Sequence, residues 1–122
     1  TLNASGTTGK VVVASTVGNS AALNQLAINA SAIAMNGANV NTSGNQSYTG
    51  AITLGAATTL TGSTVTTTSA GSTIAGAGNS LAVVGNASIG GDVSNVSTVD
   101  VSGTTRLAAN ISSTGNQTLS AP

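Results

Sequence analysis

The fold is decided by the stretch Met35-Asn36-Gly37-Ala38-Asn39-Val40, whose design returns along the whole chain. Two apolar residues stand five positions apart, and only small or polar residues lie between them. Copies of this design begin at Val12, Leu60, Val84 and Leu107, the last copy being one residue shorter. The design therefore recurs about every 24 residues, and a fixed period between about 20 and 50 residues is typical of repeat architectures.

The composition argues against several classes of function. Charged residues make up 3% of the 122 residues, against roughly 25% in ordinary globular proteins. Lys10 and Arg106 balance Asp92 and Asp100, so the chain lacks the excess positive charge that binds nucleic acids or anionic membranes. No apolar run approaches the roughly 20 residues of a membrane-spanning helix. We therefore expect no nucleic-acid partner and no membrane insertion.

Aligning the copies divides the chain into five coils, where a coil is one circuit of the chain around a common axis. The predicted coils are 1–25, 26–50, 51–73, 74–98 and 99–122. Stacking the coils places most of the large apolar residues in four ladders. These ladders are Leu2, Ile28, Ile52, Ile74 and Val99; Val12, Met35, Leu60, Val84 and Leu107; Val17, Val40, Val65, Ile89 and Ile111; and Leu23, Tyr48, Val96 and Leu119.

An internal duplication supports this length of a coil. Segment 40–48 matches segment 111–119, and the third ladder places the two segments three coils apart. A shorter register, with Val12, Ala30, Tyr48, Val65, Val83, Val101 and Leu119 in one ladder, is the alternative. It leaves Leu60, Ile28 and Ile52 without partners, so the longer coil is preferred.

The local patterns predict short strands joined by corners. Apolar and polar residues alternate at 26–30, 52–54 and 99–101, which is the periodicity of a strand. Gly and Asn between these segments suit tight corners. Segment 20–35 is rich in Ala and has partly helical spacing, but it aligns with strand-like copies and is also predicted to form a strand.

A coil of about 24 residues cannot bury its apolar side alone, so each strand should pair in parallel with its copy in the next coil. The sequence thus predicts an all-β fold, a right-handed parallel β-helix (β-solenoid) of about five coils of about 24 residues. Neither end resembles the polar cap that closes a solenoid. Residues 1–122 are therefore predicted to be a single solenoid segment of a longer repeat array.

The sequence offers no candidate catalytic, cofactor-binding or metal-binding residues. Acid–base catalysis needs two positioned ionisable groups, and the only carboxylates, Asp92 and Asp100, fall in different parts of successive coils. Asp100 and Arg106 are interpreted as a surface pair. The chain has no His and no Cys, which removes the imidazole and thiolate ligands of transition metals. We expect a protein that is not an enzyme and that binds no cofactor.

Two Thr-x-Thr pairs, Thr59/Thr61 and Thr66/Thr68, resemble the motif that repeats on every coil of ice-binding solenoids. Here both pairs belong to one predicted coil. Thr is a favourable residue on the surface of strands in general. The pairs are therefore interpreted as ordinary strand surface, and regular ranks of Thr on one side of the structure would favour ice binding.

Three stretches resemble the repeats of filamentous-haemagglutinin-like giant bacterial exoproteins. They are 42–62, which contains Thr-Ser-Gly-Asn-Gln-Ser-Tyr-Thr-Gly-Ala-Ile-Thr-Leu-Gly-Ala, together with 17–23 and 99–105. The resemblance implies a right-handed β-helical stalk on a secreted surface protein, exported through an outer-membrane partner. It assigns no functional residues.

The leading hypothesis is a non-enzymatic structural repeat segment of a secreted or cell-surface bacterial fibre or adhesin. Its partners would be adjacent solenoid repeats or copies of itself end to end, with a host or environmental surface as a further partner. One alternative is an extracellular filament subunit that stacks end to end. The other is a solenoid that binds ice or polysaccharide.

Overall fold

The structure is a computed structural model that describes residues 2–4, 9–37, 39–68 and 70–120, and these residues contain no helix. They form twelve strands in one sheet. The strands are β1 (Leu2–Ala4), β2 (Lys10–Val13), β3 (Leu26–Met35), β4 (Asn39–Asn41), β5 (Gln46–Leu54), β6 (Thr58–Thr67), β7 (Ile74–Ala75), β8 (Leu81–Ile89), β9 (Val93–Val96), β10 (Val99–Leu107), β11 (Ile111–Ser113) and β12 (Gln117–Ser120).

Every strand pairs in parallel, so the chain stacks as a β-solenoid of about five turns and the predicted fold class is confirmed.

The pairing divides each coil into three sides. Side 1 holds β1, the first halves of β3 and β5, and the second halves of β6, β8 and β10. Side 2 holds β2, the second halves of β3 and β5, then β7, β9 and β11. Side 3 holds β4, the first halves of β6, β8 and β10, and β12.

The coils differ in length. Paired residues lie 26 positions apart at Leu2 and Ile28, but 18 apart at Val83 and Val101, and 16 apart at Thr104 and Ser120. Between these extremes, β6 and β8 pair residues that are 22 or 23 positions apart. The predicted value of about 24 falls within this range, whereas the last part of the chain follows the shorter register, which was the less favoured alternative.

The core is a narrow stack of aliphatic side chains inside the three sides. On side 2, successive coils place Ile33, Ile52, Ile74 and Val93 in register, and each is at most 3% exposed. Like residues therefore cover one another along the axis, about 4.8 Å apart. This packing stabilises the stack because each coil removes its neighbour's apolar surface from water.

Most of the residue pairs implied by the four predicted ladders are not formed, and that part of the prediction was wrong. Leu2 does pair with Ile28, Ile52 with Ile74, and Val17 with Val40. Ile28 continues to Tyr48, however, and Val65 lies between Gln46 and Ala87.

The second predicted ladder placed outward-facing residues in the core. Val12, Val84 and Leu107 are 50%, 47% and 43% exposed. The physical reason is strand alternation: in a run such as 11–13 every residue is apolar, and a shift by one position exchanges the inside for the outside. The segment predicted to be strand at 20–35 is confirmed over β3.

The internal duplication does not mark whole coils either. Val40 lies on side 3, where it pairs with Leu60, whereas Ile111 lies on side 2, where it pairs with Val93. The two matching segments therefore form the same kind of corner at two different edges of the solenoid. Their separation along the chain is not a whole number of coils.

Candidate functional site: the repeated corner and the coil edges

The charged residues do not assemble into a site. Asp92, Asp100 and Arg106 are all exposed. Asp92 Oδ1 accepts a hydrogen bond of 3.0 Å from the backbone N–H of Asn110 in the next coil. Asp100 lies on side 3 and Arg106 on side 1, on either side of a corner within β10. The interpretation of Asp100 and Arg106 as a surface pair was therefore wrong, because the corner separates them.

The Thr pairs do not form ranks. Thr59 lies on side 3 between Asn39 and Ala82, and Thr66 lies on side 1 between Ser47 and Ser88. The two pairs thus occupy different sides, and neither pair recurs on the neighbouring coils. The regular array that would favour ice binding is not formed.

The first corner, residues 40–46, is closed by side-chain hydrogen bonds. Thr42 Oγ1 donates to the carbonyl of Gly44 at 2.9 Å. Gln46 Nε2 donates to the carbonyl of Val40 at 3.2 Å and to Thr42 Oγ1 at 3.3 Å, so it ties the two ends of the corner together. The same nitrogen donates to the carbonyl of Thr61 at 2.8 Å, which belongs to the following coil. One amide therefore both shapes a corner and joins two coils.

The second corner, residues 111–117, repeats this arrangement. Ser113 Oγ donates to the carbonyl of Gly115 at 2.8 Å. Gln117 Nε2 donates to Ser113 Oγ at 3.1 Å and to the carbonyl of Ile111 at 3.4 Å. Gln117 is exposed, whereas Gln46 is fully buried.

The backbone of the two corners also matches. The N–H groups of Ser43 and Gly44 donate to carbonyls of the preceding coil at 2.7 and 2.8 Å, and those of Thr114 and Gly115 do the same at 2.9 and 2.7 Å. Both corners therefore form the same backbone hydrogen bonds to the preceding coil. They differ in what lies on the other side, because within the described residues only the first corner has a following coil.

Tyr48 completes the buried network at the first corner. Its hydroxyl donates to Gln46 Oε1 at 2.6 Å, and both side chains are fully buried. Burial raises the pKa of the Tyr48 phenol well above its ordinary value near 10, because the charged phenolate would be desolvated.

We expect alkaline pH to destabilise the chain through Tyr48. The unfolded phenol loses its proton near pH 10, while the folded phenol keeps it, so the stability present below pH 10 is lost as the pH rises further. The free energy of unfolding should fall by up to about 1.4 kcal/mol per pH unit above this value. Denaturant titrations between about pH 9 and pH 12 measure the slope.

Tyr48→Phe is the matched control for this slope. The variant should be less stable at neutral pH by about 1–3 kcal/mol, because Gln46 Oε1 loses its buried donor. Its stability should then be nearly independent of pH above 10. An equal alkaline slope in both proteins would mean that Tyr48 is not the responsible group.

The other conspicuous feature is a pair of open edges, meaning the two strand edges that have no partner among the described residues. Among the described residues, β2 pairs with β3 alone, β11 with β9 alone and β12 with β10 alone. Inward-facing apolar residues at these edges are only half-buried, namely Val11 and Val17 at one edge and Ile111 and Leu119 at the other. The described residues enclose no ligand-sized cavity. The edges can therefore form backbone hydrogen bonds and apolar contacts with another strand, and this is the interaction that the arrangement supports.

Sequence reasoning missed both corners as functional features. The duplicated pattern at 42–46 and 113–117 is visible in the sequence, but without the structure it indicates only a register. A Gln after Gly-Asn in a polar stretch is typical of a surface residue. Whether this Gln is buried depends on the coil that covers it.

Comparisons of this chain with protein-family models, with curated proteins and with solved structures gave no match. No helix in the described part of the chain is long and apolar enough to cross a membrane.

Proposed function

We propose that this chain is a non-enzymatic structural segment of a secreted or cell-surface bacterial fibre or adhesin, in which it provides length and stiffness. The observation that carries the proposal is the uninterrupted parallel ladder: all three sides pair from coil to coil along the described chain. Such a stack transmits force through rows of hydrogen bonds rather than through a single contact.

The surface supports the same function. With charged residues at 3% of the sequence, the stability of the stack depends little on ionic strength. The outward positions are mainly Ser, Thr, Asn and Ala, which keep the sides polar without defining a binding site. The resemblance to filamentous-haemagglutinin-like repeats supports the extracellular location and the bacterial origin in this proposal.

Pulling on single molecules tests the structural role. A chain held at its two ends should resist extension and then yield coil by coil, each coil of 16 to 26 residues releasing about 55 to 90 Å of extended chain. Smooth extension at low force, without discrete steps, would contradict a role in bearing load. A dependence of the unfolding force on salt would contradict the argument from charge.

A further inference from the structure

We infer that the edge formed by β11 and β12 binds the β2 edge of a second copy of this chain, head to tail and in parallel, with Gln117 as the residue that clamps the two copies together. The inference rests on the proposed structural function and names its partner.

The first argument is the unfinished second corner. At the first corner, Gln46 Nε2 reaches the carbonyl of Thr61 in the next coil. Gln117 makes the two bonds within its own corner but has no such acceptor among the described residues. Its side chain is therefore held in position. Gln46 Nε2 shares its two hydrogens among three acceptors, so Gln117 Nε2 can reach a third acceptor in the same way on a coil laid over the edge. The one buried side-chain polar atom without a hydrogen-bond partner in the described part of the chain, Thr105 Oγ1, belongs to the same last coil.

The second argument is that the two edges continue the same apolar columns. On side 2, the column that starts at Val11 ends at Ile111, with only Val and Ile between them. On side 3, the column that starts at Val17 ends at Leu119. A second copy that places its Val11 over Ile111 and its Val17 over Leu119 would extend both columns without a change of residue type.

The third argument is the direction of the backbone groups. The carbonyls of Gly9 and Val13 accept hydrogen bonds from Ala32 and Asn36 of the next coil. Carbonyls alternate along a strand, so the carbonyl of Val12 points away from that coil, out of the open edge. With Val11 over Ile111, this carbonyl occupies the place that Thr61 holds over the first corner, where both Gln46 Nε2 and the Thr42 N–H donate to it. The Val12 carbonyl of the second copy is therefore the acceptor for Gln117.

The partner is a copy of the chain in the same orientation, and the contact is heterologous. Edge β2 of one copy meets edges β11 and β12 of the next, so the contact does not close on itself and successive copies form an open filament. Lys10 in β2 and Arg106 in the last coil are the charges of the described first and last coils. They lie on sides 2 and 1, so electrostatic repulsion between the two edges is weak.

Two edge-blocking variants test the inference by sedimentation velocity and electron microscopy. The wild-type chain should form filaments whose length grows with concentration. Ile111→Lys and Val11→Lys should each remain monomeric, because each buries an unpaired charge at one edge, which should weaken association by more than about a hundredfold. Mixed together, the two variants should form a 1:1 dimer and nothing larger, because one intact edge remains on each.

Matched controls keep the result interpretable. Ser112→Lys and Val12→Lys alter the neighbouring, outward-facing side chains of the same strands and should leave filaments intact. Gln117→Leu removes the clamp but keeps apolar area, and should weaken association about fivefold, the worth of one hydrogen bond. Circular dichroism verifies that every variant is folded before association is measured.

The outcomes separate this inference from the proposed function. A wild-type chain that stays monomeric at its highest soluble concentration, or variants that do not combine into a dimer, would overturn the head-to-tail contact. Unchanged association of Gln117→Leu would overturn the role of Gln117. If such a monomer still unfolds coil by coil under force, the structural function stands and only the inferred contact fails.

Discussion

Val65→Asp should destabilise the chain by about 4–5 kcal/mol or more. Val65 is 1% exposed and lies on side 1 between Gln46 and Ala87 of the neighbouring coils. The carboxylate would have no partner there, because the two hydrogens of the Gln46 amide are already shared among three oxygens. An unpaired buried charge costs on the order of 4–5 kcal/mol or more, which is a large share of the roughly 5–15 kcal/mol that stabilises an ordinary domain.

Thr66→Asp is the matched control for this prediction. Thr66 is the next residue on the same strand, and its side chain lies on the outer surface of side 1, half-buried between the small residues Ser47 and Ser88. A carboxylate at this position keeps contact with water, so the loss should be below about 1 kcal/mol. Denaturant midpoints measure both changes, and equal midpoints for the two variants would mean that Val65 does not face the core.

Thr67 illustrates why register could not be taken from composition. The four predicted ladders left Thr67 out of the core, and the third ladder aligned Val65 with Ile89. In the structure Thr67 itself pairs with Ile89 and is 2% exposed, and its Oγ1 accepts a hydrogen bond from the N–H of Gly90. A Thr in a strand is acceptable inside or outside when its hydroxyl has a partner, so the sequence carries no signal for the choice.

The fold class, unlike the register, was predictable from composition and periodicity. Parallel coils need only a recurring supply of aliphatic residues and small corner residues, and both recur along the whole chain. The coil length was not predictable at single-residue accuracy, because the corners absorb insertions. The stretch of chain from the end of β6 at Thr67 to the start of β7 at Ile74 lengthens one coil, whereas the corner within β10 passes from side 3 to side 1 without leaving the strand. Average periodicity therefore identifies the solenoid but not the neighbour of each residue.

The corners were the least predictable part of the candidate site. The same five-residue pattern closes a corner between sides 3 and 1 at Gln46 and between sides 2 and 3 at Gln117. Its hydrogen bonds are local, so the pattern predicts a corner but not which corner. Whether its Gln is buried depends on the coil above it, which local sequence does not encode.

Gly50→Ala should strongly destabilise the chain, and its comparison with Gly78→Ala separates steric clash from backbone strain. Gly50 lies within β5, at the corner between sides 1 and 2, with φ of +127°. A Cβ atom built there would clash with the backbone carbonyl of Ala30 in the preceding coil. Neither backbone can move without breaking the ladder on both sides of the corner, so we expect a loss of more than about 3 kcal/mol.

Gly78→Ala is the control, because Gly78 also has a positive φ, +84°, but a Cβ atom there meets nothing within 4 Å. This variant has to bear only the strain of a left-handed conformation, which is about 1–2 kcal/mol for a residue other than Gly. Thermal and denaturant unfolding of both variants should therefore give a clearly larger loss at Gly50. If the two losses were equal, the coils would be able to separate at the corner, and the close stacking of Gly50 on Ala30 could not be what holds that corner in register.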